Sequence, residues 1–232
     1  MAPTVVTPLC EELRVGCRDV WERLHEHPFV RELAAGTLPL ETFRFYLEQD
    51  TFFLPDYLRA IGLAIGRADG EQELELLVSE AQIVVGRELE GVQALLRRVE
   101  ELTGPGDADP EPAPTTVAYT GFLLATAARG DAIDVMTALL PCAWSYADIA
   151  LGLTDETAEH PIYSDWIRFF AGTEYVDSIA ERRATLDRVA ARVGESRRRR
   201  LGALFATAVR LELAFWEMAY RHEQWPDLEE GH

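Results

Sequence analysis

FRFYLEQDTFFLPDY, residues 43–57, carries Phe43, Tyr46, Leu47, Phe53, Leu54 and Tyr57 at spacings of three and four, the period of one helix face. In the middle of that face stands Asp50, four residues from Tyr46 and Leu54 and three from Leu47 and Phe53. The spacing therefore predicts a helix with a buried carboxylate. An unpaired buried charge is costly, so Asp50 needs an internal partner, such as an ion pair or a Tyr hydroxyl, or a ligand.

The same period extends outward in both directions. Leu9, Leu13, Cys17, Val20 and Leu24 mark a helix over residues 8–27, which His27-Pro28 breaks. Pro39 suits the first turn of a helix over about 39–68, and 71–102 reads as another long helix. TGPGDADPEPAP, residues 103–114, is a surface loop too short to divide the chain. Helices fit 115–129, 131–153, 161–171, 175–193 and 196–224, with Gly130-Asp131 and Asp155 as punctuation. No region alternates with a period of two between hairpin turns. The expected architecture is an all-α bundle in a single domain, residues 1–232.

Composition agrees. A chain of 232 residues that is 48% hydrophobic can bury a sizeable core and is not disordered. No apolar run approaches a membrane span, and residues 1–14 lack a basic segment followed by an apolar one, so a cytoplasmic protein is expected. Forty acidic residues face 22 basic ones, all of them Arg, for a net charge of −18. Such a surface repels phosphate backbones and anionic membranes, which excludes nucleic acid and membrane as partners. Arg-only usage fits G+C-rich coding, and the acidic surface fits salt adaptation. The run Arg197 to Arg200 is expected to pair with nearby Glu. Three widely spaced cysteines make no disulfide framework, and no metal or nucleotide motif appears, so no cofactor is expected.

Two further segments place polar groups on apolar faces. In the last helix Glu212 lies among Ala208, Val209, Phe215 and Trp216, where its pKa should rise toward that of a proton donor near neutrality, unless an Arg pairs with it. Glu217 lies on a more polar side. In LLPCAWSYADI, residues 139–149, Cys142 and Tyr146 share a face, and Pro141 predicts a kink. Buried Cys is usually a small hydrophobe, and Cys10 and Cys17 fit that; Cys142 differs in its company. Tyr119 also falls among apolar residues. A nucleophile with two acids is a kit for covalent catalysis with proton transfer, although no His is placed to activate the thiol. His25 and His27 read as a helix-end pair, and His232 and the acidic DLEEGH tail as solvated.

Five segments in order resemble the TenA / thiaminase II family: FYLEQDTFFL, PTTVAYTGFLL, ALLPCAWSYADI, HPIYSDWIRFF and ELAFWEMAYRHEQW. The resemblance implies a haem-oxygenase-like all-α bundle, a homotetramer, and no haem or metal. It implies thiamin salvage: hydrolysis of 4-amino-5-aminomethyl-2-methylpyrimidine to the hydroxymethyl pyrimidine with release of ammonia, and cleavage of thiamin as the related reaction. By the same resemblance Cys142 is the nucleophile, Asp50 holds the aminopyrimidine edge, Glu212 transfers protons, and Tyr119 and Tyr146 are aromatic pocket positions. Phe53 and Phe170 depart from it, each standing where the family usually has Tyr, and Gly172 stands where it has Ser. Lost hydroxyls imply an altered pyrimidine or slow turnover. Two other readings remain at this point: a non-catalytic binder of a flat ligand, and a haem or diiron oxidase, for which the ExxH-type ligand spacing is missing.

Overall fold

The computed structural model describes residues 7–107, 109–153 and 160–226, and among them every regular element is helical. Eleven α-helices follow in order: α1 Leu9–Gly16, α2 Arg18–His25, α3 Pro28–Ala35, α4 Leu40–Ile65, α5 Glu71–Ile83, α6 Leu89–Thr103, α7 Pro114–Arg129, α8 Ala132–Leu153, α9 Pro161–Phe170, α10 Thr173–Val189 and α11 Glu195–Arg221. A π turn, Val84–Glu88, joins α5 to α6, and a 3₁₀ turn, Ala190–Arg192, follows α10. Asp155 and the tail from 227 onward, with His232, lie outside the described residues.

Three helices form the frame: α4, α8 and α11 pack on one another, with α5, α6 and α7 against α4 and with α9 and α10 against α8. Trp21, Phe29, Tyr46, Trp166, Phe205 and Trp216 are among the largest fully buried side chains, each contributing roughly 2–3 kcal/mol of burial. Helix α8 is apolar enough by length and composition to cross a membrane, and most of its residues are buried inside the fold. It runs unbroken through Pro141, as α4 does through Pro55.

The N-terminal region departs from the sequence reading. Residues 8–27 form two helices, because Cys17 adopts φ −115°, ψ 14° and breaks the run. The His27-Pro28 break also starts α3: Pro28 occupies the first turn, and His27 caps it by accepting from the Phe29 N–H at 3.2 Å. Gly36, at φ 70°, ends α3. The expected single helix over 71–102 is α5 and α6 joined through the π turn, with helical backbone angles kept at both of its junctions.

Two polar devices fix the frame. At the start of α8, Asp131 and Asp134 each accept from the other's backbone N–H, at 2.9 and 3.3 Å. Arg197 and Arg200 of α11 close on the buried Asp134 at 2.9 and 2.8 Å. Arg197 also reaches Asp131, Arg198 reaches Glu12, and Arg199 pairs with Glu195. The arginine run thus pairs with acids as expected, but two of its partners are Asp at the α8 corner. The second device is Gln49, whose amide donates to the Glu111 carbonyl at 3.1 Å and accepts from the Ala113 N–H and the Thr116 hydroxyl at 2.8 and 2.7 Å. It pins the 104–113 loop to α4 one residue before Asp50.

Candidate active site

The frame leaves a cavity of about 240 Å³ beside Asp50. Its wall comes from α4 (Tyr46, Asp50, Phe53, Leu54), the π turn (Glu88), α6 (Gly91, Val92, Ala94, Leu95, Arg98), α8 (Cys142, Tyr146), α9 (Asp165, Trp166, Phe169, Phe170) and α10 (Tyr175). The volume lies below the ~300–1,000 Å³ of pockets for drug-sized ligands, so it suits a single-ring molecule. The Tyr146 ring centroid lies 5.6 Å from that of Trp166 and 4.9 Å from that of Phe170, and Phe170 lies 5.2 Å from Tyr175, which gives an aromatic wall of tilted and edge-to-face rings. Arg98 and Asp165 form an ion pair at the wall, and Arg168 also reaches Asp165 at 2.5 Å.

Of the seven residues singled out in the sequence, five line this cavity: Asp50, Phe53, Cys142, Tyr146 and Phe170. Glu212 and Tyr119 stand one layer behind. The Cys142 thiol donates to Glu212, and the Tyr119 hydroxyl donates to the Glu212 Oε1. Tyr119 packs behind Phe53, with ring centroids 4.8 Å apart. No Arg pairs with Glu212 among the described contacts, so its partners are a thiol and a phenol. Asp50 is held by a relay in which Tyr146 donates to Tyr46, and Tyr46 to Asp50; Trp166 Nε1 also donates to Tyr46 at 3.3 Å. A Tyr hydroxyl thus satisfies Asp50, and one face of the carboxyl still meets the cavity.

Burial dominates the electrostatics. It lifts Asp50 to about 8, against the hydrogen bond from Tyr46, with Glu88 and Glu212 adding repulsion. It lifts Glu212 to about 7, against the hydrogen bonds from Tyr119 and Cys142. Cys142 is pushed well above an ordinary thiol, by burial first and then by the charges of Glu212, Glu88 and Asp50. At neutral pH Asp50 is therefore a proton donor, Glu212 is balanced between its two forms, and the thiol keeps its proton until an acceptor takes it.

The sequence reading missed Glu88. It lies on the cavity wall, lifted by burial to about 7 against the pull of Arg182. A signal was present: Glu88 lies three residues from Val85 and four from Val84 and Val92, so it interrupts an apolar face as Asp50 does, with Arg87 and Glu90 beside it. Behind it, Arg182 and Glu80 form a buried ion pair at 2.9 Å, and Tyr57 donates to Glu80 at 2.6 Å. Cys10 and Cys17 are core, as expected. His27 binds Glu217 at 3.1 Å, and Glu217, half-exposed, also binds Arg221. The buried His25 Nε2 has no partner among the described atoms. Among the described residues no three His, Cys, Asp or Glu side chains converge as metal ligands would.

Residues 16–222 match the TENA/THI-4/PQQC family. The chain belongs to that family. A protein named aminopyrimidine aminohydrolase from Halalkalibacterium halodurans is 32% identical over 89% of this chain and 92% of its own length. One of the same name from Bacillus subtilis is 30% identical over 94% and 92%. Among solved structures, a TenA homologue from P. horikoshii superposes with a TM-score of 0.81 at 36% identity, covering 93% of this chain and 99% of that one. A heme-oxygenase-like domain from Shewanella denitrificans, at 13% identity and a TM-score of 0.68, shares the fold.

Proposed function

We propose that the protein is an aminopyrimidine aminohydrolase of thiamin salvage, acting through covalent addition of Cys142 to the pyrimidine ring. The observation that carries this reading is the thiol of Cys142 on the cavity wall, hydrogen-bonded to Glu212 behind it, with Asp50 on the same wall. Glu212 takes the thiol proton as the sulfur adds to the ring. Asp50, protonated at neutral pH, donates to the ring edge and favours the added state, in which ring nitrogen gains electron density. The ring then drives out the amine: the methylene C–N bond breaks and its electron pair leaves with ammonia. Water adds to the methylene carbon, and loss of the thiol restores the aromatic ring. Tyr146 and Phe170 hold the ring flat, and Tyr119 fixes Glu212. Cleavage of thiamin would follow the same course with a larger leaving group.

The relatives of the same name support this reading. The homotetramer implied by the resemblance is part of the same proposal, and the exposed Leu74 and Val78, one turn apart on α5, with Val85 in the π turn, offer it an apolar surface.

An ammonia-release assay with the aminomethyl pyrimidine tests the reading, wild type beside Cys142→Ser, at low and at molar salt. Release by the wild type and none by the folded variant is expected. Equal release by both would overturn the nucleophile. Binding without release by the wild type would leave a ligand-holding protein, the reading that the hydroxyl-free Phe53 and Phe170 walls favour.

A further inference from the structure

Four carboxyls serve one small cavity, and three have partners within the protein: Asp165 is paired with Arg98 and Arg168. Asp50 accepts from Tyr46, and Glu212 accepts from Tyr119 and from the Cys142 thiol. Glu88 also lines the cavity, yet no side chain or backbone group among the described residues donates a hydrogen bond to it. Its position comes from the π turn: the wider turn takes an extra residue between α5 and α6, an irregularity that marks functional positions in helices. Before the turn the buried face runs through Leu77, Glu80 and Val84, and after it through Val92, Leu95 and Val99. Glu88 falls where those two faces meet at the cavity. The charge of Glu88 is felt by Cys142 and Tyr175, and Arg98, the one cation among the described residues of the cavity wall, is paired with Asp165. Nearby Arg182 pairs with Glu80 through Nη1, and its Nη2 has no hydrogen-bond partner among the described residues, so it pulls on Glu88 by charge without a hydrogen bond to it.

An unpartnered carboxyl on the wall of a mostly aromatic pocket is a receptor for a small cation with N–H donors. The proposed reaction has such a group. The substrate carries a primary ammonium on its methylene carbon, and the product carries a neutral hydroxyl at the same place.

We propose that Glu88 is a specificity-determining residue that binds the ammonium of the 5-aminomethyl substituent and thereby distinguishes substrate from product. This rests on the aminopyrimidine reading of the cavity. The carboxylate accepts hydrogen bonds from the ammonium and keeps the leaving nitrogen protonated until the C–N bond breaks and neutral ammonia departs. Once the hydroxyl has replaced the ammonium, the charge-assisted contact is gone, and the product is held by its ring alone.

The test is calorimetric binding of the 5-aminomethyl and 5-hydroxymethyl forms of 4-amino-2-methylpyrimidine to Cys142→Ser, which blocks turnover, and to the same protein carrying Glu88→Gln or Glu88→Asp. Glu88→Gln should weaken the aminomethyl ligand roughly ten- to a hundred-fold and leave the hydroxymethyl ligand within about two-fold. Glu88→Asp, which keeps the charge on a shorter stem, should recover part of the difference. Equal weakening of both ligands would give Glu88 a structural role only, and unchanged affinity for both would give it none; either overturns the proposal. Binding of neither pyrimidine by Cys142→Ser or by the wild type overturns the aminopyrimidine reading, and this inference with it.

Discussion

Replacing Asp50 with Asn should make the protein more stable, and increasingly so as the pH rises. The side chain is buried, and burial raises its carboxyl from an ordinary 3.8 to about 8. Between those values the folded state keeps a proton that the unfolded chain has released. The unfolded state then binds fewer protons, so stability is greatest below the lower value and falls as pH rises through the window. The slope is at most about 1.4 kcal/mol per pH unit, which caps the loss from pH 4 to pH 8 at about 5 kcal/mol. Water entering from the cavity reduces this, and about 2–4 kcal/mol is expected. Asn has the same shape and still accepts from the Tyr46 hydroxyl, but it does not titrate. Urea unfolding of both proteins at pH 5, 6, 7, 8 and 9, at one protein concentration, measures the difference. It should grow with pH and level off above 8. Parallel curves would refute the reasoning, since they would mean that Asp50 ionises in the folded state as it does in water.

Arg182→Met should cost roughly 3–5 kcal/mol, because it leaves Glu80 buried and uncompensated; with an unfolding entropy near 2.1 cal/mol/K per residue this lowers Tm by about 6–10 °C. Arg182→Met with Glu80→Leu should recover most of that loss, and a calorimetric melt of the two variants checks it. Tyr119→Phe removes a donor that favours the Glu212 carboxylate, so the acidic limb of the kcat/KM profile should move to higher pH, with a roughly ten-fold lower rate near neutrality.

How much of this was legible before the structure depends on contrast along the chain. Asp50 and Glu212 stood out because each interrupts an apolar face, and both are buried. The partner of Asp50 was within reach of the sequence, since Tyr46 stands four residues before it on the same helix face; that of Glu212 was not, because the hydrogen bond from Tyr119 joins helices distant in sequence. Glu88 interrupts an apolar face too, between Val84 and Val92, but it was passed over among Arg87, Glu90 and the other charges of its stretch, and nothing in Val84–Glu88 signals a π turn rather than an α turn. Helix α3 was lost because the His27-Pro28 break signal is also a start signal, with His27 serving as the cap. The break at Cys17 follows Gly16, a weak cue inside a run that otherwise keeps its period. Long helices with clear ends, α4 and α8 among them, match the sequence reading to within a few residues.

Glu212 touches the thiol and not the cavity, and that recess separates two kinds of change. A mutation on the aromatic wall alters which ring fits and which edge is recognised while leaving the pairing of acid and sulfur intact. Phe53 stands on the wall, between the ligand space and Tyr119, so its loss of a hydroxyl need not disturb the phenol that holds Glu212. Substrate preference can therefore drift among descendants of one ancestor one wall residue at a time, each intermediate keeping its chemical apparatus. A ligand screen across wall variants would sample that route directly.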